Sequence, residues 1–246
     1  HEGKYMTLAE KFVSAVTSIQ DADLCFNEPV DDIMLNQIES ETGLTLPVEF
    51  KNLYKLHNGQ GDIGDSLFDL FSLNSAKDIL ENWDAFKIVE PQCDQDGIKA
   101  EPEEGIKDKW CNSKWIPFAS TADGHAICID YDPAEGGNVG QIITFWYNEG
   151  ERNLIADSFE EFIISYLKNL EEGIYITSVY PDSPAYLGGM RVADVITQVG
   201  SEEVSSLSVF HNILKKHNKG DTITVTVLRK SSDKNNHHKK IEVVLG

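Results

Sequence analysis

Hydrophobic spacing in this chain changes period several times, and each change limits what the adjoining segment can become. Leu8, Phe12, Val16 and Ile19 recur at helical spacing over residues 7–19, which predicts an amphipathic helix. Asp31 and Asp32 offer a cap to a second helix carrying Ile33, Met34, Ile38 and Glu41, and Gly43 stands where a left-handed C-terminal residue belongs. Pro47 suits a first helical position ahead of Phe50, Leu53, Tyr54 and His57, with Asn58-Gly59 as the stop. The period then falls towards two. A short apolar run covers 67–73, followed by a turn or two of helix over 76–83. Strands are expected at 115–119, 125–131, 141–147 and 153–156, before a helix over 158–170 that Ser158 caps with Glu161 three residues on. Between them residues 84–113 hold Pro91, Gly97, Pro102 and Gly105 and read as one long acidic loop. Helices, a strand meander and a closing helix describe an α+β domain with an antiparallel or mixed sheet flanked by helices.

After Glu171-Glu172-Gly173 the pattern restarts on a smaller scale. Strands at 174–180 and 195–199, a helical turn at 184–187 and a helix with Leu207, Phe210, Ile213 and Leu214 on one face precede two strands, 222–229 and 239–245. A polar turn at 231–238 joins the last two. The expected division is therefore a domain over 1–172 and a small β-rich domain over 173–246. About 75 residues is a marginal size for independent folding.

Charge divides at the same place. Residues 1–172 carry 12 Lys/Arg against 34 Asp/Glu, a balance of −22, whereas 173–246 carry 9 against 7, a balance of +2. A field of that sign repels nucleic acid and anionic membrane and speeds encounter with a basic partner, although acidic surfaces also simply aid solubility. No stretch is apolar for the roughly 18 residues of a membrane span. The opening residues show no basic segment leading into an apolar run, so no signal peptide is read. Cys25, Cys93, Cys111 and Cys128 stand far apart with no zinc-like spacing, as free thiols in a reducing, cytoplasmic setting would.

The run from Leu46-Pro47 through Phe50, Leu53-Tyr54 and Leu56-His57-Asn58-Gly59 resembles the opening signature of the SUKH superfamily, which takes in fungal cell-wall-assembly regulators and bacterial toxin-immunity proteins. Trp115-Ile116-Pro117-Phe118-Ala119 with Gly124 to Asp130, then Asp132-Pro133 with Gly136-Gly137 and Gly140 to Ile143, then Ser158-Phe159 with Phe162, continue the resemblance in order. These residues read as fold determinants: Pro47 starts a helix, Gly59 ends one, and Gly136-Gly137 makes a tight turn. Trp115 and Phe118 with Ile116 between them suit a strand buried at both ends.

From Gly173-Ile174 through Val179, Pro181-Asp182-Ser183-Pro184-Ala185, Gly188-Gly189-Met190, Asp194-Val195-Ile196 and Gly220-Asp221, the chain is similar to the PDZ modules of bacterial serine proteases. Val192-Ala193-Asp194 departs from the glycine usual before the aspartate. The loop that grips a peptide carboxylate in such modules precedes the start of this match, where a helix is expected, so a trimmed PDZ-like module without that loop is read. Phe210, His211 and Leu214 mark what remains of its groove, with Phe210 and Leu214 read as core.

No Gly-x-Ser-x-Gly elbow, Ser/His/Asp arrangement, phosphate loop or dinucleotide fingerprint occurs. Asp123, Asp130 and Asp132 near His125 are not expected to converge on it, and His237-His238 read as a solvated turn, so no enzyme activity, no metal and no cofactor is expected. The SUKH resemblance implies an immunity protein that neutralises a cognate toxin, such as a nuclease, through acidic residues, with Asp62, Asp65, Glu101, Glu103, Glu104, Glu149 and Glu151 as candidates. A scaffold or adaptor that assembles regulatory partners is the alternative. Protein partners are expected, and nucleic acid and membrane are not. Oligomeric state is not readable from the sequence.

Overall fold

A computed structural model of the chain describes residues 6–19, 23–230 and 236–246. The first compact unit reaches to Ile164. The second gathers the residues from Ser165 onward together with the C-terminal half of the first helix.

Up to Leu170 the order is α1 (Leu8–Ile19), α2 (Asp32–Thr42), α3 (Val48–Tyr54), β1 (Ser72–Leu73), α4 (Ala76–Asp96), β2 (Glu101–Pro102), β3 (Trp115–Ser120), β4 (Ala126–Asp130), β5 (Gln141–Phe145), β6 (Glu151–Arg152), β7 (Leu154–Ala156) and α5 (Phe159–Leu170), with the second half of α1 and the end of α5 belonging to the second unit. Five strands form an antiparallel sheet in the order β1-β3-β4-β5-β7. Both faces of this sheet are covered, so β3 from Trp115 to Ala119 is buried throughout. Strand alternation explains the pattern at Trp115 and Phe118. Trp115 joins Phe86, Cys93, Cys128, Ile143 and Phe145 on one side. Phe118 meets Phe50, Phe68, Phe159 and Phe162 edge-on from the other, at centroid distances of 5.4–6.3 Å.

Capping places the helices. Asp31 accepts from the Met34 amide, and Gly43 closes α2 at φ 69°. Ser75 and Asp78 form a reciprocal capping box at the start of α4. That helix corrects the expectation of a loop beginning at residue 84. It continues through Pro91 for 21 residues and ends on Gly97, because Ile79, Leu80, Trp83, Phe86 and Cys93 give it a buried stripe that spans the proline. Helix α3 stops at Tyr54, short of the expected end. Gly59 instead permits a close approach: a Cβ there would lie 2.4 Å from the Asn74 carbonyl oxygen.

The second unit contains β8 (Ile174–Tyr175), α6 (Pro184–Leu187), β9 (Val195–Val199), β10 (Glu202–Glu203), α7 (Leu207–Leu214), β11 (Thr222–Lys230) and β12 (Asn236–Val244). Its sheet runs β10-β9-β11-β12, with β8 also paired to β9. Ile176, Val179, Met190, Ile196, Val199, Val225, Val227 and Ile241 make its core. Phe210 and Leu214 pack against that core half-buried. The expected turn at 231–238 lies in part outside the described residues, and His237 and His238 belong to β12 opposite Arg229 and Leu228. As strand neighbours they point to opposite faces and cannot chelate together.

Candidate functional site

The acidic candidates fall into two groups. Asp62 and Asp65 belong to the loop after Gln60, whose buried side chain organises it. Its Nε2 donates to the carbonyls of Leu24 (2.7 Å) and Asp65 (2.8 Å), and its Oε1 accepts from the amides of Leu67 (3.1 Å) and Leu73 (2.9 Å). All four hydrogen-bonding positions of this amide are filled, so the loop is held although its surface is exposed. Asp65 spends part of its carboxylate on the Asp23 amide at 3.0 Å. Ile63 stands 82% exposed between the two acids.

The second group is assembled by tertiary structure. β2 and β6 pair in parallel with Glu101 opposite Glu151, and the Glu101 amide donates to the Gly150 carbonyl at 2.7 Å. Two segments about fifty residues apart thus join into one ridge holding Glu101, Glu103, Glu104, Glu149 and Glu151. Glu103 has a structural duty, since its carboxylate accepts from the Leu154 amide at 2.8 Å and the Asn153 side chain at 3.3 Å. Glu101 and Glu104 are exposed, and among the described residues neither they nor Glu149 form an ion pair. Nearby lysines are committed elsewhere: Lys107 to Asp132, Lys99 to Asp108, and Lys109 to both Glu90 (2.5 Å) and Asp94 (2.8 Å). Burial alone would raise the Glu90 carboxyl, but hydrogen bonds from Lys109 and Ser113 outweigh it and hold it below its usual range.

Arg152 fastens this ridge from beneath. Fully buried, it donates to the carbonyls of Glu149 (2.7 Å), Glu151 (2.7 Å), Trp146 (3.4 Å) and Trp110 (2.6 Å). Its guanidinium lies 4.8 Å from the Phe145 ring centroid and 5.4 Å from that of Trp110, within cation–π range. Burial pushes its pKa down to about 10, so it stays charged at neutral pH. Nothing in the local sequence Glu-Arg-Asn signals this, because its partners are backbone oxygens.

His125 takes a structural part. Its Nδ1 accepts from the Tyr147 amide at 3.0 Å, which places the proton on Nε2, 3.3 Å from Asp123. Asp123 therefore does reach His125, contrary to expectation. Asp130 and Asp132 do not: Asp130 accepts from Trp115 Nε1 (3.0 Å), Gln141 Nε2 (2.8 Å) and the Asp132 amide (2.8 Å), while Asp132 faces Lys107 and Asn112. Among the described residues no group of three or more His, Cys, Asp or Glu is placed to hold a metal ion.

Sequence reasoning missed an apolar cleft of about 200 Å³ between α4 and the sheet, floored by Phe86, Phe145 and Ala126 and walled by Ala85, Val89 and Tyr147. Reading residues 84–96 as loop removed one of its walls. The Phe86 and Val89 spacing, continuing from Ile79 and Trp83, was the available signal.

In the second unit Phe210 and Leu214 are half-buried and His211 is exposed on α7. Among the described residues β8 pairs only with β9, and Tyr175 to Val179 are buried. The Tyr166 ring of α5 meets the Tyr175 ring edge-on at 5.8 Å.

The fold is an acidic α+β unit followed by a small β-rich module. The sequence profile of the SMI1 / KNR4 family (SUKH-1) matches residues 29–165, and that of the PDZ domain matches 164–243. The chain belongs to the SMI1 / KNR4 (SUKH-1) family and carries a PDZ domain resembling that of HtrA-type proteases. It is 24% identical over 209 residues to KNR4/SMI1 homolog 2 of Debaryomyces hansenii (68% of this chain, 35% of that one) and 23% identical over 220 residues to the cell wall assembly regulator SMI1 of Saccharomyces cerevisiae (74% and 43%). Its C-terminal part is 42% identical over 65 residues to the serine protease Do-like HtrA of Lactobacillus helveticus (26% and 16%). The chain thus spans less than half the length of each of these relatives. The family is non-catalytic and includes immunity proteins and SMI1-like regulators, and a PDZ domain is a protein-binding module. Among the described residues no helix is long and apolar enough to cross a membrane.

Proposed function

We propose that this chain is an immunity protein that neutralises a cognate protein toxin by covering a basic surface of it. The acidic ridge carries this reading: Glu101, Glu104 and Glu149 stand without ion-pair partners among the described residues, on a platform fastened by Arg152. A rigid uncompensated acidic ridge suits a basic cleft such as a nuclease presents, and complementarity of this kind acts chiefly on the association rate. Asp62 and Asp65 with Ile63 form a second contact region. A cytoplasmic location is part of this reading. On this reading the PDZ domain lacks the carboxylate-gripping loop and has a bracing or accessory role.

The test is co-purification with the product of the neighbouring gene, followed by stopped-flow association kinetics at several salt concentrations. The Glu101→Lys/Glu104→Lys variant should slow association about tenfold at low salt and change dissociation little. Glu103 is left out of the variant because its carboxylate also braces the Leu154 amide. Unchanged kinetics remove the ridge from the interface, and a neighbour that is not bound removes the reading. The second reading, an adaptor, is favoured by the fungal regulators among the relatives and predicts several weak partners instead of one stoichiometric one.

A further inference from the structure

The cleft between α4 and the sheet is a better-shaped anchor site than the ridge. Its lining is almost wholly apolar, with Phe86, Phe145 and Ala126 below and the exposed Ala85, Val89 and Tyr147 around the opening. Val89 is 46% and Tyr147 62% exposed, so large side chains stay in water beside an unfilled hollow. One acid stands at the rim. Thr121 and Gly124 line the cleft, and Asp123 between them is held in place: the Thr121 hydroxyl donates to it at 2.6 Å and His125 Nε2 lies 3.3 Å away. Its side chain nonetheless remains 74% exposed. The nearest lysine along the α4 wall, Lys87, is drawn 4.9 Å over the Trp83 ring.

We infer that this cleft docks a protein segment presenting one aromatic or aliphatic side chain flanked by lysine or arginine. The apolar side chain fills the hollow, and the neighbouring cation meets Asp123 within the field of residues 1–172, whose balance is −22. Interfaces are commonly anchored this way, by one buried apolar side chain with a charged neighbour at the rim fixing direction. Held by Thr121 and His125, Asp123 loses little freedom when a cation arrives, which favours a specific contact over a diffuse one. The inference rests on the reading of this unit as a binding protein, but not on the partner being a toxin.

The test titrates the full nitrogen-labelled chain with the end-capped peptide Gly-Lys-Lys-Phe-Lys-Lys-Gly, followed by amide chemical shifts. The expected shifts centre on Ala85, Val89, Gly124 and Tyr147. Serine in place of the phenylalanine should weaken binding at least about tenfold, from the apolar area no longer buried. Glutamates in place of the lysines should weaken it as well. Asp123→Asn should cost about two- to fivefold at low salt and less at high salt. Ala85→Trp fills the hollow from an exposed helix position and should abolish the shifts, and Val89→Lys provides a second block should the tryptophan disturb folding. Equal binding of the serine peptide, shifts centred on the Glu101–Glu151 ridge, or indifference to both blocking substitutions overturns the inference. Capture of the neighbouring gene's toxin with no peptide response removes the cleft and leaves immunity standing. A peptide response without toxin capture does the reverse.

Discussion

Arg152 in the first unit and Arg229 in the second are both withdrawn from solvent, and they are held in opposite ways. Arg229 lies against a full counter-charge: Nε and Nη2 reach the two oxygens of Asp194 at 2.7 and 2.6 Å, and Nη2 also donates to the Gly189 carbonyl at 2.7 Å. The Asp194 hydrogen bonds hold its pKa above the ordinary value, against burial. Arg152 has carbonyl dipoles and aromatic faces, and burial lowers its pKa. A bidentate carboxylate compensates a buried guanidinium and fixes two elements to each other. Carbonyls compensate it less, but they allow one side chain to gather several strands of backbone. In the first unit the gathered backbone is the acidic ridge and the Trp110 turn. In the second, strand β11 is tied to the turn after α6. On the proposed function, the first arrangement serves a surface that must be displayed, the second a small module that must hold its shape.

The largest effect that would break this comparison is expected at Arg152. Arg152→Met keeps the apolar stem and removes every bond to Glu149, Glu151 and Trp110, leaving three buried or half-buried carbonyls short of a donor. A loss of about 3–5 kcal/mol in urea denaturation is expected, and Arg152→Lys should recover less than half, since an ammonium cannot reach carbonyls in a planar fan. A loss below about 1 kcal/mol would mean that the ridge holds itself together. Asp194→Asn comes next. It keeps the shape, removes the counter-charge of a largely buried arginine and weakens its bond from the Arg191 amide, which is 2.9 Å away. About 2–3 kcal/mol is expected. Adding Arg229→Met to Asp194→Asn should restore part of that loss, because no lone charge is then buried. No comparable rescue exists for Arg152, whose partners are backbone.

This contrast also shows which parts of the molecule were legible in advance. The helices over 8–19, 32–42 and 159–170, the central strand segments and the two-part organisation follow from apolar period and capping residues, which act locally. The separateness of Asp130 and Asp132 from His125 follows from strand alternation. Three things did not. Helix α4 continues past Trp83 because its buried stripe, ending in Cys93, outweighs Pro91 and a run of charges, and only the packed sheet decides that contest. The ridge depends on a β2·β6 pairing of two residues each, too short to leave a periodic trace. Arg152 answers to carbonyls, which every residue has, so no side-chain pattern marks its partners. Lost with α4 was the cleft, since its wall lay in a segment read as loop.

The smallest predicted effect sharpens the comparison from the side of the second unit. Ala193 adopts φ 67°, a left-handed conformation that costs an alanine about 1–2 kcal/mol. The strain lies one residue before Asp194, where the Ala193 amide donates to the Ile176 carbonyl at 2.8 Å and Asp194 turns in to meet Arg229. The glycine usual at this place in related modules would relieve it. Ala193→Gly also enlarges the freedom of the unfolded chain, which takes back about 0.4–1 kcal/mol. A net gain of about 0.5–1 kcal/mol is expected, visible as a rise in the thermal midpoint of the second unit with that of the first unchanged. If the gain disappears in the Asp194→Asn background, the ion pair is what forces the turn into this conformation. If it persists there, the turn is strained by its own sequence, and the Asp194–Arg229 pair merely rests on a backbone already bent.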